Sequence, residues 1–117
     1  MDRLKGLVNR STGCVLAETV EEAHTFGKRL TGLMFRRAIP ERYAMHLKPC
    51  RSIHTFFMRF PIDVLYLDAG RHIVAMQENL GTGKIGKSVR GAESVVELPA
   101  GQIRESGTRV GQVLHFG

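Results

Sequence analysis

The residues Ile62-Asp63-Val64-Leu65-Tyr66-Leu67 form a near-continuous apolar run, and the turn Asp68-Ala69-Gly70-Arg71 sends the chain back into His72-Ile73-Val74-Ala75-Met76. A short apolar run bounded by turn residues and rich in β-branched and aromatic side chains is a buried strand. The pair therefore predicts an antiparallel hairpin and commits the chain to a β-rich core.

The remaining pattern agrees. Leu7–Arg10 and Cys14–Ala17 flank Ser11-Thr12-Gly13 and predict a second hairpin. Tyr43, Met45 and Leu47 alternate with Ala44, His46 and Lys48, as in a strand that Pro49 ends. Val95–Leu98 is a strand closed by Pro99-Ala100-Gly101, and Val110–Phe116 is a final strand. Residues 53–60 are apolar and aromatic, whereas 79–91 are rich in Gly and Lys without apolar periodicity and predict a loop. One main helix is expected over about residues 20–31. Thr19 would be its N-cap, Glu22 would complete a capping box, and Lys28 and Arg29 would complement the dipole in the last turn. Val20, Ala23, Phe26, Leu30 and Leu33 would form its apolar stripe, and Gly32 would stop it. A chain of 117 residues has room for a single domain, 1–117. The expected fold class is α+β, mostly antiparallel β, a small barrel- or sandwich-like sheet with one helix across an opening.

Charge narrows the range of partners. Lys plus Arg number 17 against 11 acids, giving a net charge of +6. The basic residues are scattered from Arg3 and Lys5 to Arg109, with no run of five and no Trp, which fits a solvated surface better than a nucleic-acid footprint. No stretch approaches the roughly 18 apolar residues of a membrane span. Residues 1–6 contain no apolar segment of the signal-peptide kind, and Cys14 and Cys50 are too few for a disulfide scaffold. Two reduced thiols in a cytoplasmic protein are expected.

Gly81-Thr82-Gly83-Lys84-Ile85-Gly86-Lys87-Ser88 matches the phosphate-binding pattern G-x-x-x-x-G-K-[ST]. In such a loop backbone amides cradle phosphates, Lys87 would reach the outer phosphates and Ser88 would hold magnesium. That geometry needs a helix directly after the loop, and Val95-Val96 and Pro99 arrive too soon for one. A weaker anion-binding role through Lys84, Lys87, Ser88 and Arg90 suits the loop better than catalysis does. His46, Cys50 and His54 are four residues apart, but Pro49 argues against the helix that would align them on a metal. Cys50 with His54 could form a thiol–base pair, for which no orienting third group is evident. Asp63 within an apolar strand must be paired, cap a backbone group or sit at a mouth, and Arg36, Arg59 or His54 could partner it.

The blocks Gly32-Leu33-Met34-Phe35-Arg36 and Phe57-Met58-Arg59-Phe60-Pro61-Ile62-Asp63-Val64, followed by Val96-Glu97-Leu98-Pro99-Ala100-Gly101 and Gly111-Gln112-Val113-Leu114, resemble the family called domain of unknown function 192. The resemblance runs in order over almost the whole chain. It implies a small β-rich domain with one helix, found mainly in bacteria and archaea, and it implies no reaction, substrate or cofactor. The family's recurring polar positions fall here on Arg36, His54, Asp63 and Glu97. Many members carry a Trp-Met-Lys-Asn-like stretch where this chain has Phe57-Met58-Arg59-Phe60, and an acid where Gln112 stands.

The expected function is a non-catalytic binding or accessory module with a polar mouth formed by Arg36, His54, Asp63 and Glu97, without a cofactor or metal. Its partner would be a small ligand or a protein, and a homodimer through an exposed strand edge is a further expectation. The alternative is an enzyme, either nucleotide-dependent through the 81–88 loop or thiol-dependent through Cys50.

Overall fold

The computed structural model describes residues 6–117, so Arg3 and Lys5 lie outside the described residues. Eight strands form two sheets. A three-stranded sheet joins β1 (Leu7–Asn9) to β2 (Val15–Ala17) and β8 (Leu114–Phe116), in the order β2-β1-β8. A five-stranded sheet contains β3 (Thr19–Ala23), β4 (Tyr43–Leu47), β5 (Ile62–Leu67), β6 (Ile73–Leu80) and β7 (Ser94–Pro99), in the order β3-β4-β7-β5-β6. The pairings are antiparallel except β3–β4, which is parallel, with Thr19 opposite Tyr43 and Ala23 opposite Leu47. The expected α+β, mostly antiparallel fold is present, and both expected hairpins, β1–β2 and β5–β6, form.

Period-two alternation makes the large sheet two-faced. Leu65, Leu67, Ala44, Val96 and Leu98 point one way and pack on Leu7, Leu16, Ala17 and Leu114 of the small sheet. Ile62, Val64, Tyr66, Tyr43, Met45, Leu47 and Val95 point the other way and are covered by Leu33, Ile53 and Met58 from the connecting segments. β5 is buried along its whole length, Asp63 included, as its near-continuous apolar run leads one to expect. Each large side chain so enclosed contributes about 1.5–3 kcal/mol of burial free energy.

Five elements, β3, α1, α2, β6 and β8, differ from expectation. Residues 19–23 are a strand, and α1 spans only Phe26–Thr31. Its N-cap is Thr25, whose hydroxyl accepts from the Lys28 amide at 3.1 Å, so Thr19 and Glu22 form no capping box. The full parallel ladder to β4 outweighs the local helical signal over residues 19–23. A second helix, α2 (Gln102–Ser106), lies between Gly101 and Gly107, both left-handed, and is too short to leave a periodic signature. The final strand is confined to Leu114–Phe116, whereas β6 runs on to Leu80 at the start of the expected 79–91 loop. Among the described residues no helix is long and apolar enough to cross a membrane.

Candidate functional site

Asp63 and Glu97 are both buried, 0% and 3% exposed, on the adjacent strands β5 and β7, and alternation sends them to opposite faces. Asp63 faces α2. Its Oδ2 accepts from the amides of Gly101 (3.1 Å) and Ile103 (2.8 Å), and its Oδ1 accepts from the Asn79 amide (2.8 Å). It thereby caps a helix that has no side-chain cap of its own, and it satisfies an amide freed where the β5–β6 register shifts. The four expected mouth residues therefore do not share one wall: Asp63 is a structural acceptor on the far side of the sheet.

On the other face, the residues after α1 roof a cavity of about 280 Å³. Gly32 makes this roof possible: its φ of 43° lets the chain leave the helix sharply, while its amide donates to the Lys28 carbonyl at 2.8 Å. Leu33 then turns inward, and the Phe35 amide ties the roof to the Phe57 carbonyl at 3.0 Å. The walls include Leu33, Leu47, Ile53 and Met58, with Cys50, His54 and Glu97 as polar points.

Glu97 stands opposite Met45 on one side and Val64 on the other, in the middle of the sheet. Among the described residues its Oε1 has no hydrogen-bond partner. Burial pushes its carboxyl up to about 8, and the Arg36 charge offsets this only in part. Burial thus favours the neutral acid, which can donate through O–H and accept through C=O. A methyl group on Gly32 would lie 3.7 Å from Oε1, so the roof passes directly over the carboxyl.

Arg36 is near Glu97 but engaged elsewhere. Its guanidinium donates to both Glu21 oxygens at 3.2 Å and to the Tyr43 hydroxyl at 3.1 Å, and Tyr43 in turn donates to Glu21 at 2.5 Å. The Tyr43 hydroxyl and then Arg36 hold the Glu21 carboxyl below its usual range. His54 lines the cavity through a bridge to Ile85, and its Nδ1 accepts from the Phe56 amide at 3.2 Å. Cys50 donates its thiol proton to the Ser52 carbonyl at 3.0 Å, and burial pushes the thiol up, opposite to the activation a nucleophile needs. His46 lies on the opposite face from Cys50 and His54, so that spacing brings no three ligands together.

Phe35 and Phe57, next in the chain to the cavity residues Met34 and Met58, stack at 5.5 Å while 64% and 67% exposed. Both have a left-handed backbone, φ 65° and 62°, a costly conformation for bulky residues. Broader depressions of about 440 and 400 Å³ lie beside α2, but neither is lined by a buried polar atom lacking a partner.

The Gly-rich loop 81–88 is pinned against residues 53–55. The amides of Gly83, Lys84 and Gly86 donate to Thr55 O, Thr55 Oγ1 and Ile53 O, and that of Lys87 donates to Gln77 Oε1, all within 2.8–2.9 Å. No helix follows Ser88; the chain continues into β7. Lys84, Lys87, Ser88 and Arg90 are exposed around amides already committed within the protein. Pattern alone indicates the missing helix but neither the pinning of the loop amides nor the unpartnered Glu97 oxygen, because both depend on contacts distant in the chain.

The model of the domain of unknown function 192 family, described as "Uncharacterized ACR", matches residues 7–116. The chain is 32% identical over 116 residues to a UPF0127 protein of Thermococcus sibiricus, covering 94% of this chain and 73% of that one. It is 30% identical over 115 residues to a UPF0127 protein of Pyrococcus furiosus, covering 94% and 97%. The crystal structure of a protein of unknown function from Novosphingobium aromaticivorans has the same fold, with a TM-score of 0.84 at 18% identity, covering 94% of this chain and 82% of that one. By its sequence match over residues 7–116, the chain belongs to the domain of unknown function 192 family.

Proposed function

We propose that the protein is a non-catalytic binding module, one domain whose ligand seat is the cavity between the post-α1 roof and the large sheet. The ligand is a small, largely apolar molecule carrying one hydroxyl, amide or amine group that meets Glu97. One observation carries this reading: an acid 3% exposed among Leu33, Leu47, Ile53 and Met58 that has an oxygen without a partner. Such a group costs roughly 1–3 kcal/mol unless something bonds it. A cavity of about 280 Å³ is at the small end of ligand sites. His54 and the exposed Phe35–Phe57 stack flank the entrance, and Arg36 holds the β3–β4 edge beside it.

The enzymatic alternatives lose support from the raised Cys50 thiol and from the committed amides of the 81–88 loop. The free Cys14 and Cys50 suit a reducing, cytoplasmic setting. The outer edges of β3 and of β6 beyond Ile73 are where a second copy would pair. The test is a titration of the wild type and Glu97→Leu with n-butanol and n-butylamine, followed by NMR. Saturable shifts of the Leu33, Ile53 and Met58 signals in the wild type, lost in the variant, are expected. Shifts absent from the wild type, or equal in the two proteins, would overturn the reading.

A further inference from the structure

A second cluster lies on the opposite face of the sheet from the Glu97 cavity. Glu22 lies near the end of β3 and His24 just beyond it, and their side chains meet. The parallel register places His46 of β4 directly opposite Glu22. As a result, two imidazoles converge on one carboxylate oxygen: Glu22 Oε2 is 2.9 Å from His24 Nε2 and 2.8 Å from His46 Nδ1. The three ligating atoms all lie within 4.8 Å of one another.

The cluster has a rigid inner wall and a wet outer one. His46 is 3% exposed and stacks on Phe116, with ring centroids 4.1 Å apart and planes 22° from parallel. Among the described residues its Nε2 has no partner, so Glu22 selects the tautomer with a proton on Nδ1. The side chains of Glu22 and His24 are 43% and 57% exposed and free to adjust. We infer that Glu22, His24 and His46 form a binding site for a divalent first-row transition ion of the zinc class, with the remaining coordination position open to water.

Two imidazoles and one carboxylate suit zinc and its neighbours, whereas magnesium and calcium prefer oxygen donors throughout. Metal–ligand bonds of about 2.0–2.1 Å in a tetrahedral site separate ligating atoms by roughly 3.3 Å. The two Glu22 contacts therefore have to open by about half an ångström, and the two imidazole nitrogens, within 4.8 Å of each other, have to settle at that same separation, which the half-exposed Glu22 and His24 side chains allow. On binding, the proton of the neutral His46 ring moves from Nδ1 to Nε2, so that Nδ1 offers its lone pair to the ion. Arg71, over the Phe116 ring at 5.0 Å, opposes the added positive charge, so the affinity is moderate rather than structural in strength.

The experiment uses the full chain, freed of metal with a chelator and titrated calorimetrically with Zn²⁺, and in parallel with Co²⁺ followed by absorption spectroscopy. One saturable equivalent of Zn²⁺, no comparable heat from Mg²⁺, and a tetrahedral or five-coordinate Co²⁺ spectrum without a thiolate band are expected. His24→Ala alters an exposed group and leaves the melting temperature of the metal-free protein unchanged, and Glu22→Gln keeps a side-chain oxygen that can accept from His46 Nδ1. Each is expected to weaken Zn²⁺ binding by at least about tenfold. The inference is overturned by non-saturable binding, by a thiolate-to-cobalt band pointing to Cys14 or Cys50, or by a loss under tenfold in His24→Ala.

Discussion

The two faces of the five-stranded sheet treat a buried carboxyl group in opposite ways. Toward α2, Asp63 takes three backbone amides and holds a helix start and a strand irregularity in place. Toward the roof, Glu97 meets methyl and methylene groups and a carboxyl oxygen is left without a bond. The two residues sit on paired strands, Asp63 beside Leu98 and Glu97 beside Val64. The difference therefore does not come from depth. It comes from what each face supplies: one offers amides that need an acceptor, the other offers none. An acid whose valences are filled is part of the scaffold, and an acid left open in an apolar hollow is available to a ligand.

Variants can break this contrast. Asp63→Leu should have the largest effect, because it orphans three amides that a carboxylate now serves. A loss of roughly 5 kcal/mol is expected by urea denaturation, close to unfolding a protein of this size. The second effect is pH-dependent. With its carboxyl raised from 4.5 to about 8, folded Glu97 keeps a proton that the unfolded chain releases. Its contribution is complete below pH 4.5 and is lost as pH climbs through 8. Glu97→Gln should remove that slope, leaving the variant roughly 3–5 kcal/mol less sensitive between pH 4 and 9 in denaturation curves. A stability curve of equal slope in both proteins would show that the carboxyl is not held neutral.

Gly32→Ala should come third. It strains a left-handed backbone and lowers a methyl group onto the carboxyl, for a loss of about 1–2 kcal/mol by thermal melting and weaker occupancy of the cavity. Arg36→Ala should be smallest. The ion pair with Glu21 is about one-third exposed on both sides, so its loss should cost under about 1 kcal/mol. The same change should raise the Glu97 carboxyl further, readable by carbon-detected NMR titration.

Much of this architecture is written locally. The β5–β6 hairpin follows from one apolar run, one turn and one return, and the absence of a helix after Ser88 follows from Val95-Val96 and Pro99. Residues 19–23 misled because Thr19 and Glu22 mimic a helix start, whereas the partner that makes them a strand, Tyr43–Leu47, is some twenty residues away. That same error hides the meeting of Glu22, His24 and His46, which exists only once β3 and β4 run side by side. Glu97 was identifiable as a family position, but its lack of a partner depends on Gly32, Leu33 and Met58 arriving from two other segments. Asp63 was legible as a residue in need of partners; the partners proved to be backbone amides rather than Arg36, Arg59 or His54.

The pairing of β1 with β8 has a mechanical consequence. Leu7 lies opposite Phe116 and Asn9 opposite Leu114, so a load applied between residues 7 and 116 enters at one end of an antiparallel ladder. Such a load opens the ladder rung by rung instead of shearing all its bonds together. Pulled from these two points in an optical trap, the small sheet should peel away at low force and expose Leu7, Leu16 and Leu114 while the large sheet still holds.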